Sequence, residues 1–225
     1  MEVSYKPSLA CEIGQEILDK RSCGLIWMSA GNSYFSEQNI QDLILFAKNN
    51  FSTVIIVVPD LPAEHTYHAL GYSESESKRK ARLNSNLLRN RARRIIKTIE
   101  QEKNPGLLIL VNWKRDVESH EAYKKAYKKV YKLYLKNSLF RSDARAATRS
   151  VLSQKGRILS NIEESIDEGV FYLLKELSFI IALPALFNVF NVAYLYHKSW
   201  PVYENFVSGK YDGIIKKHLG FLLVK

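Results

Sequence analysis

Three short apolar runs limit what this chain can become: Leu25-Ile26-Trp27-Met28, Thr53-Val54-Ile55-Ile56-Val57-Val58 and Gly106-Leu107-Leu108-Ile109-Leu110-Val111. Each is bounded by turn-forming or polar residues, and none alternates with polar positions, which is the pattern of strands covered on both faces. Between them lie amphipathic stretches of helical period, residues 37–50 and 74–101. Strand, helix, strand, helix, strand implies a parallel sheet with right-handed crossovers. The expected fold is therefore α/β: a Rossmann-like parallel sheet with helices on both faces.

With 225 residues, 46% of them hydrophobic, and no Pro/Gly/Ser-rich linker, the chain is expected to form a single domain over residues 1–225. No uninterrupted apolar run approaches the roughly 20 residues needed to span a bilayer, and residues 1–6 have no signal-peptide character. A cytoplasmic protein with no membrane partner is the expectation. Cys11 and Cys23 are too few and too widely spaced for a zinc cluster and lack a nucleophile signature, so they read as buried structural thiols, and no metal site is expected. Lys and Arg outnumber Asp and Glu by 33 to 23, a formal charge of +10. That excess points to a polyanionic partner, nucleic acid or an acidic membrane surface.

The basic residues are concentrated. Residues 74–101 contain neither proline nor glycine, and the segment 89–97 contains no acid. Leu83, Leu87, Ile95 and Ile96 form a narrow apolar seam, leaving broad faces for Arg82, Arg89, Arg91, Arg93, Arg94 and Lys97, which are the candidate phosphate contacts. A solvated helix ordinarily mixes charge signs. Residues 118–136 repeat the theme, with Tyr123, Tyr127, Val130, Tyr131 and Tyr134 as a packing stripe and lysines on the other face. Arg141, Arg145, Arg149, Lys155 and Arg157 extend it through another helical segment that Gly156 is placed to end.

Two segments hold candidate chemistry. The first apolar run leads into Ser29-Ala30-Gly31-Asn32-Ser33-Tyr34-Phe35-Ser36, a tight loop at the carboxyl end of a strand, where open α/β sheets bind ligands. Ser29, Ser33 and Ser36 are the hydroxyl candidates. Each also fits a plain structural part: Ser29 as the end of the strand, Ser36 as the N-cap of the next helix. The second segment is a helix from about residue 161. On it Tyr172 and Glu176 share one face, an acid among apolar neighbours that suits a substrate amine or simply packs beside the tyrosine. Residues 187–197 read as a late strand ending at Tyr196 and His197. Trp200-Pro201 closes it, before a helix and the apolar segment 221–224.

The serine loop, the Tyr172-Leu173-Leu174-Lys175-Glu176 helix and Tyr196 on a late strand, with an arginine-rich helix between them, together resemble the cyclodipeptide synthases. The order, spacing and total length agree over most of the chain. The resemblance implies a fold like the catalytic domain of class Ic aminoacyl-tRNA synthetases, those for tyrosine and tryptophan, without their ATP-dependent activation. It implies two aminoacyl-tRNA substrates, no cofactor, a monomer and a ping-pong reaction through an aminoacyl-Ser29 and a dipeptidyl-enzyme. Ser29, Tyr172, Glu176 and Tyr196 take the catalytic roles by this resemblance: nucleophile, proton relay, ammonium anchor, and a group that orients the reacting centre. No G-x-G-x-x-G or Walker loop for ATP is present.

An aminoacyl ester is already activated, so such a protein need supply only a nucleophile, proton transfer and a placed amine. Asn32 matches the family members that carry asparagine at this loop position. Trp27 departs from the glycine common two places before the nucleophile, and its bulk should favour a smaller or differently oriented first side chain. Leu25, Val57, Phe179 and Tyr194 are expected to line that pocket with Trp27, and His197 stands beside Tyr196. The alternatives are a non-catalytic basic tRNA-binding domain and a synthetase-like ligase that makes an adenylate. A serine hydrolase is disfavoured, because the G-x-S-x-G elbow is absent.

Overall fold

The computed structural model describes residues 1–6, 8–100, 107–155, 161–211 and 218–225. They fall into two compact units, one of residues 1–58, 86–112 and 189–225, the other of residues 59–85 and 113–188.

The first unit contains the whole sheet. Its strands are β1 (Val3–Ser4), β2 (Cys23–Trp27), β3 (Thr53–Val57), β4 (Leu107–Val111), β5 (Val192–Tyr196) and β6 (Leu219–Val224), in the order β1-β6-β5-β2-β3-β4. Five strands run parallel, as their apolar runs imply. β1 pairs antiparallel with β6, Val3 opposite Val224, so the sheet is mixed rather than wholly parallel. A two-residue edge strand is too short to leave a periodic signal.

One face of the sheet, Ile26, Val54, Ile56, Ala193, Leu195 and Leu222, packs under α1 (Leu9–Asp19), α2 (Glu37–Asn50) and the later turns of α4 (Glu74–Ile99). On the other face Tyr194 meets Tyr203 of α8 (Pro201–Val207), ring centroids 5.5 Å apart. α1 sits so close to β6 that a Cβ added at Gly14 would lie 2.3 Å from the Phe221 carbonyl oxygen. Both thiols are buried, and burial pushes that of Cys23 up to about 12.

The second unit is helical: α3 (Asp60–Ala69), the first turns of α4, a π-helical turn at Lys114–Glu118, α5 (Glu121–Lys136), α6 (Ser138–Ser153) and α7 (Ile162–Phe187). α3 starts at Asp60, directly after Pro59 and with Pro62 in its first turn. A proline in the first helical turn loses no hydrogen bond, because the N–H it lacks would have no partner there. α7 is the hub, contacted by α3, α5 and α6. His65 Nδ1 of α3 lies 2.6 Å from Glu168 Oε1 of α7. Arg145 of α6 pairs with Glu163 and Asp167 of α7.

By length and composition α7 is apolar enough to cross a membrane, although Lys175-Glu176 interrupts its apolar run. More than half of that apolar stretch is buried inside the fold, as Leu174, Leu177, Phe179 and Ile180 show. α7 also runs to Phe187, into residues expected to open the late strand. It stops at Asn188, whose left-handed backbone (φ 52°) serves as a helix C-cap, and β5 starts at Val192. The expected helix end at Gln101, strand start at Gly106 and helix end at Gly156-Arg157 lie outside the described residues.

Candidate functional site

In the sheet unit, Ser29 follows β2 after Met28, whose N–H donates to the Val57 carbonyl (2.9 Å) and prolongs the strand pairing. The chain then turns. Asn32 N–H donates to the Ser29 carbonyl (3.2 Å), across Gly31 at φ +72°, a left-handed conformation that favours glycine. The Asn32 carboxamide oxygen accepts from Tyr34 N–H (3.0 Å). Ser36 caps α2, its Oγ accepting from Asn39 N–H (3.2 Å). The three serines therefore separate: Ser36 serves as a helix cap, Ser33 is exposed on the turn, and Ser29 stands half-buried at the strand end.

β5 neighbours β2, with Ile26 opposite Leu195, so the two strands deliver their carboxyl ends together. As a result the Asn32 Nδ2 donates to the Tyr196 hydroxyl (3.4 Å), joining positions 164 residues apart. Leu25, Trp27, Val57 and Tyr194 share the sheet face opposite the main cluster, since Leu25 pairs with Tyr194 and Trp27 with Val57. All four are fully buried. Tyr194 stacks on Phe221 and packs at a tilt against Trp200 and Tyr203.

His197 stacks flat on Tyr34, centroids 3.8 Å apart and planes within 6°, and Phe35 meets it edge-on. Both imidazole nitrogens and the Tyr34 hydroxyl are buried without a hydrogen-bond partner among the described residues. Tyr34 was no part of the sequence-based site; the signal available was a pair of aromatic residues closing a polar turn. Burial, with a smaller push from Lys198, holds the His197 pKa at about 4. Between pH 6.5 and 4 the unfolded chain then binds a proton that the folded one refuses, so stability falls as pH drops through that window. His197→Phe keeps a ring over Tyr34 and should remove this contribution. Urea midpoints measured against pH should fall less steeply in the variant, and parallel curves would contradict the assignment.

In the helical unit, Tyr172 and Glu176 lie one turn apart on α7, the tyrosine half-buried and the glutamate only 6% exposed. A carboxylate is rarely so enclosed unless it is paired. Phe179, a further turn along, is completely buried and packs on Trp113, centroids 5.7 Å apart. This unit also holds a cavity of about 500 Å³ lined by Asp60, Leu61, Glu64, Ser75, Lys78, Arg79 and Arg82. Three of the basic residues of the 74–101 segment, Lys78, Arg79 and the candidate phosphate contact Arg82, line it.

The basic residues of α4 divide into two groups. Arg89 donates to the Val58 carbonyl (3.2 Å), Arg91 to the Phe35 carbonyl (3.4 Å), and Arg94 pairs with Glu37 (3.3 Å). These guanidinium groups tether the end of β3 and the serine loop as well as carrying charge. Arg82, Arg93 and Lys97 are exposed.

A mostly parallel α/β sheet with a polar loop at the carboxyl end of a central strand defines a Rossmann-like protein whose candidate site lies at the strand ends. Residues 8–225 match the cyclodipeptide synthase family, and the chain belongs to that family. It is 29% identical over 185 residues to the cyclo(L-tyrosyl-L-tyrosyl) synthase of Mycobacterium tuberculosis, covering 80% of this chain but only 62% of that protein's length. It is 25% identical to the cyclo(L-leucyl-L-leucyl) synthase of Bacillus subtilis over 216 residues, 94% of this chain and 85% of the relative.

Among solved structures, a synthase from Staphylococcus haemolyticus superposes with a TM-score of 0.85 at 18% identity, covering 100% and 98% of the two chains. One from Mycobacterium tuberculosis, described as related to type I tRNA-synthetases, gives 0.78 at 24%, covering 97% and 94%. One from Candidatus Glomeribacter gigasporarum, bound to Phe-tRNAPhe, gives 0.61 at 15%, covering 90% and 87%. At these identities the structures speak for the fold alone.

Proposed function

We propose that this protein makes a cyclic dipeptide from two aminoacyl-tRNAs, as an aminoacyltransferase that needs no cofactor. The observation that carries this reading is the loop after β2: a half-buried serine at the end of a central strand, in a turn pinned by its own backbone, with Asn32 on the Tyr196 hydroxyl. A nucleophile held in place by local bonds suits an ester that is already activated.

In this reading the Ser29 Oγ attacks the aminoacyl ester carbonyl, and the serine proton leaves with the tRNA 3′-oxygen. The amine of the aminoacyl-Ser29 then attacks the ester of a second aminoacyl-tRNA, releasing that tRNA and leaving a dipeptidyl-enzyme. Finally the free amine of the dipeptide attacks the Ser29 ester, closing the six-membered ring and returning the serine. Glu176 is assigned to the substrate ammonium, with Tyr172 beside it as proton relay, and Tyr196 to orienting the reacting carbonyl. The low exposure of Glu176 supports its part, because a buried carboxylate attracts a cation far more strongly than a solvated one. Leu25, Trp27, Val57, Phe179 and Tyr194 are assigned to the first side chain's pocket, and His197 to supporting Tyr196. The two units are taken to act as one catalytic domain, in a monomeric cytoplasmic enzyme.

The test is mass spectrometry of the culture medium of a bacterium expressing the chain, which should contain a diketopiperazine absent from the control. ATP–pyrophosphate exchange should be undetectable in the purified protein. Exchange without a cyclic product would instead indicate an adenylate-forming ligase.

For α4, Arg82→Ala/Arg93→Ala should weaken aminoacyl-tRNA use and reduce the slope of log affinity against log salt by about 2, at nearly unchanged thermal stability. Arg91→Ala should in addition lower stability by about 1 kcal/mol, because the Phe35 carbonyl loses its donor. Salt titration and thermal denaturation of the two variants separate these effects, and identical behaviour would reject the division.

A further inference from the structure

The cations of this protein are unequally committed. On α6, Arg145 and Arg149 pair with Glu163, and Arg141 donates to the Leu135 carbonyl. On α4, three arginines hold loop carbonyls or Glu37. On α5, among the described residues, Lys124 is the lysine that forms an ion pair, with Glu121 at 2.8 Å. Lys125, Lys128, Lys129, Lys132 and Lys136 are all exposed and make no ion pair among the described residues.

These five lysines fall at i, i+3, i+4, i+7 and i+11, within about 60° of one line down the helix, given about 100° per residue. The line lies opposite the buried face formed by Tyr123, Ala126 and Val130. It is about 16 Å long, and no acid occurs anywhere from residue 122 to residue 142. Like charges three and four apart work against an isolated helix, and among the described residues no ion pair offsets them, Glu121 at the start of α5 being bonded to Lys124. A straight row one cation wide matches a line of regularly spaced anions.

We infer that the lysine row of α5 is an RNA-binding surface additional to the basic residues of α4, one that takes the phosphate backbone of the tRNA substrate. The inference rests on the proposed use of aminoacyl-tRNA. A bilayer is less well matched, because the exposed apolar side chains nearby, Tyr131 and Leu135, lie to one side of the row and leave its own line wholly cationic.

The test is binding of fluorescein-labelled, uncharged tRNA to the full chain and to a variant with all five lysines changed to glutamine, a set of exposed positions whose replacement leaves the packed face intact. If three phosphates are engaged, the variant should lose about 2.7 from the salt slope, so that its affinity changes about 40-fold less than that of the wild type between about 50 and 200 mM salt. The matching five-lysine-to-arginine variant should retain binding, which shows that charge rather than helix stability is read. An unchanged slope overturns the inference while leaving the synthase reading intact if product still forms. A slope lost without any cyclic product from the wild type supports the surface and rejects the synthase reading. Loss of binding to phosphatidylserine vesicles with tRNA binding unchanged overturns the inference in favour of a membrane surface.

Discussion

Ser29→Ala is expected to abolish cyclic dipeptide formation, by at least about a thousandfold, while leaving a folded protein that still binds tRNA. Removing the nucleophile of a covalent mechanism costs rate by orders of magnitude. The loop itself is set by the Asn32, Tyr34 and Ser36 backbone bonds, so its shape should survive and stability should change by no more than about 1 kcal/mol. Ser36→Ala supplies the contrast. It removes the N-cap of α2 and should lower stability by about 1 kcal/mol with product yield nearly intact. Product quantified by mass spectrometry, beside thermal denaturation of both variants, distinguishes the two hydroxyls. Persistent product from Ser29→Ala would remove the serine from the chemistry.

Gly14→Ala is expected to cause the largest loss of stability among conservative changes. A methyl group there would lie 2.3 Å from the Phe221 carbonyl oxygen and 2.9 Å from its nitrogen, and a Cβ at Gly220 would meet the Gly14 nitrogen at 2.3 Å. Backbone atoms cannot swing aside as a side chain can, so α1 must lift from β6 or the sheet must bend. Overpacking of this kind costs about 3 kcal/mol. At about 2–4 °C per kcal/mol for a chain of this size, melting should fall by roughly 10 °C. Gly220→Ala should behave alike, and the double variant should lose much less than the sum, because one displacement of α1 relieves both clashes. A melting point within about 2 °C of wild type for either single variant would show that this contact is looser than the distances indicate.

Much of this was legible before any coordinates. β3 and α2 were readable because an unbroken β-branched run and a capped amphipathic repeat each have one solution. The capped start of α2 then marks the serine loop, and with it β2, immediately before that helix. β1 was not readable, since two residues have no period, and the end of α7 was missed because a helix apolar on all sides carries no phase to mark where it stops. Asn188 takes a left-handed backbone there, a feature that an asparagine only permits.

Within the candidate site, Asn32 and Tyr196 stand out by family resemblance, and their contact across 164 residues follows from the adjacency of β2 and β5. Strand adjacency is a property of the sheet order, which no local pattern contains. The same holds for Arg89 and Arg91. Their basic character was plain in the sequence, but their grip on the Val58 and Phe35 carbonyls depends on how α4 returns over the sheet.

The central claim is that Ser29 carries the first amino acid as an ester. The most direct measurement is intact-protein mass spectrometry after rapid acid quenching of the enzyme with a single kind of aminoacyl-tRNA, followed by peptide mapping. The account predicts a mass increase of one or two aminoacyl residues on the peptide containing Ser29, absent from Ser29→Ala. An adduct mapped to another residue, or product formed with no adduct at any quench time, would contradict it.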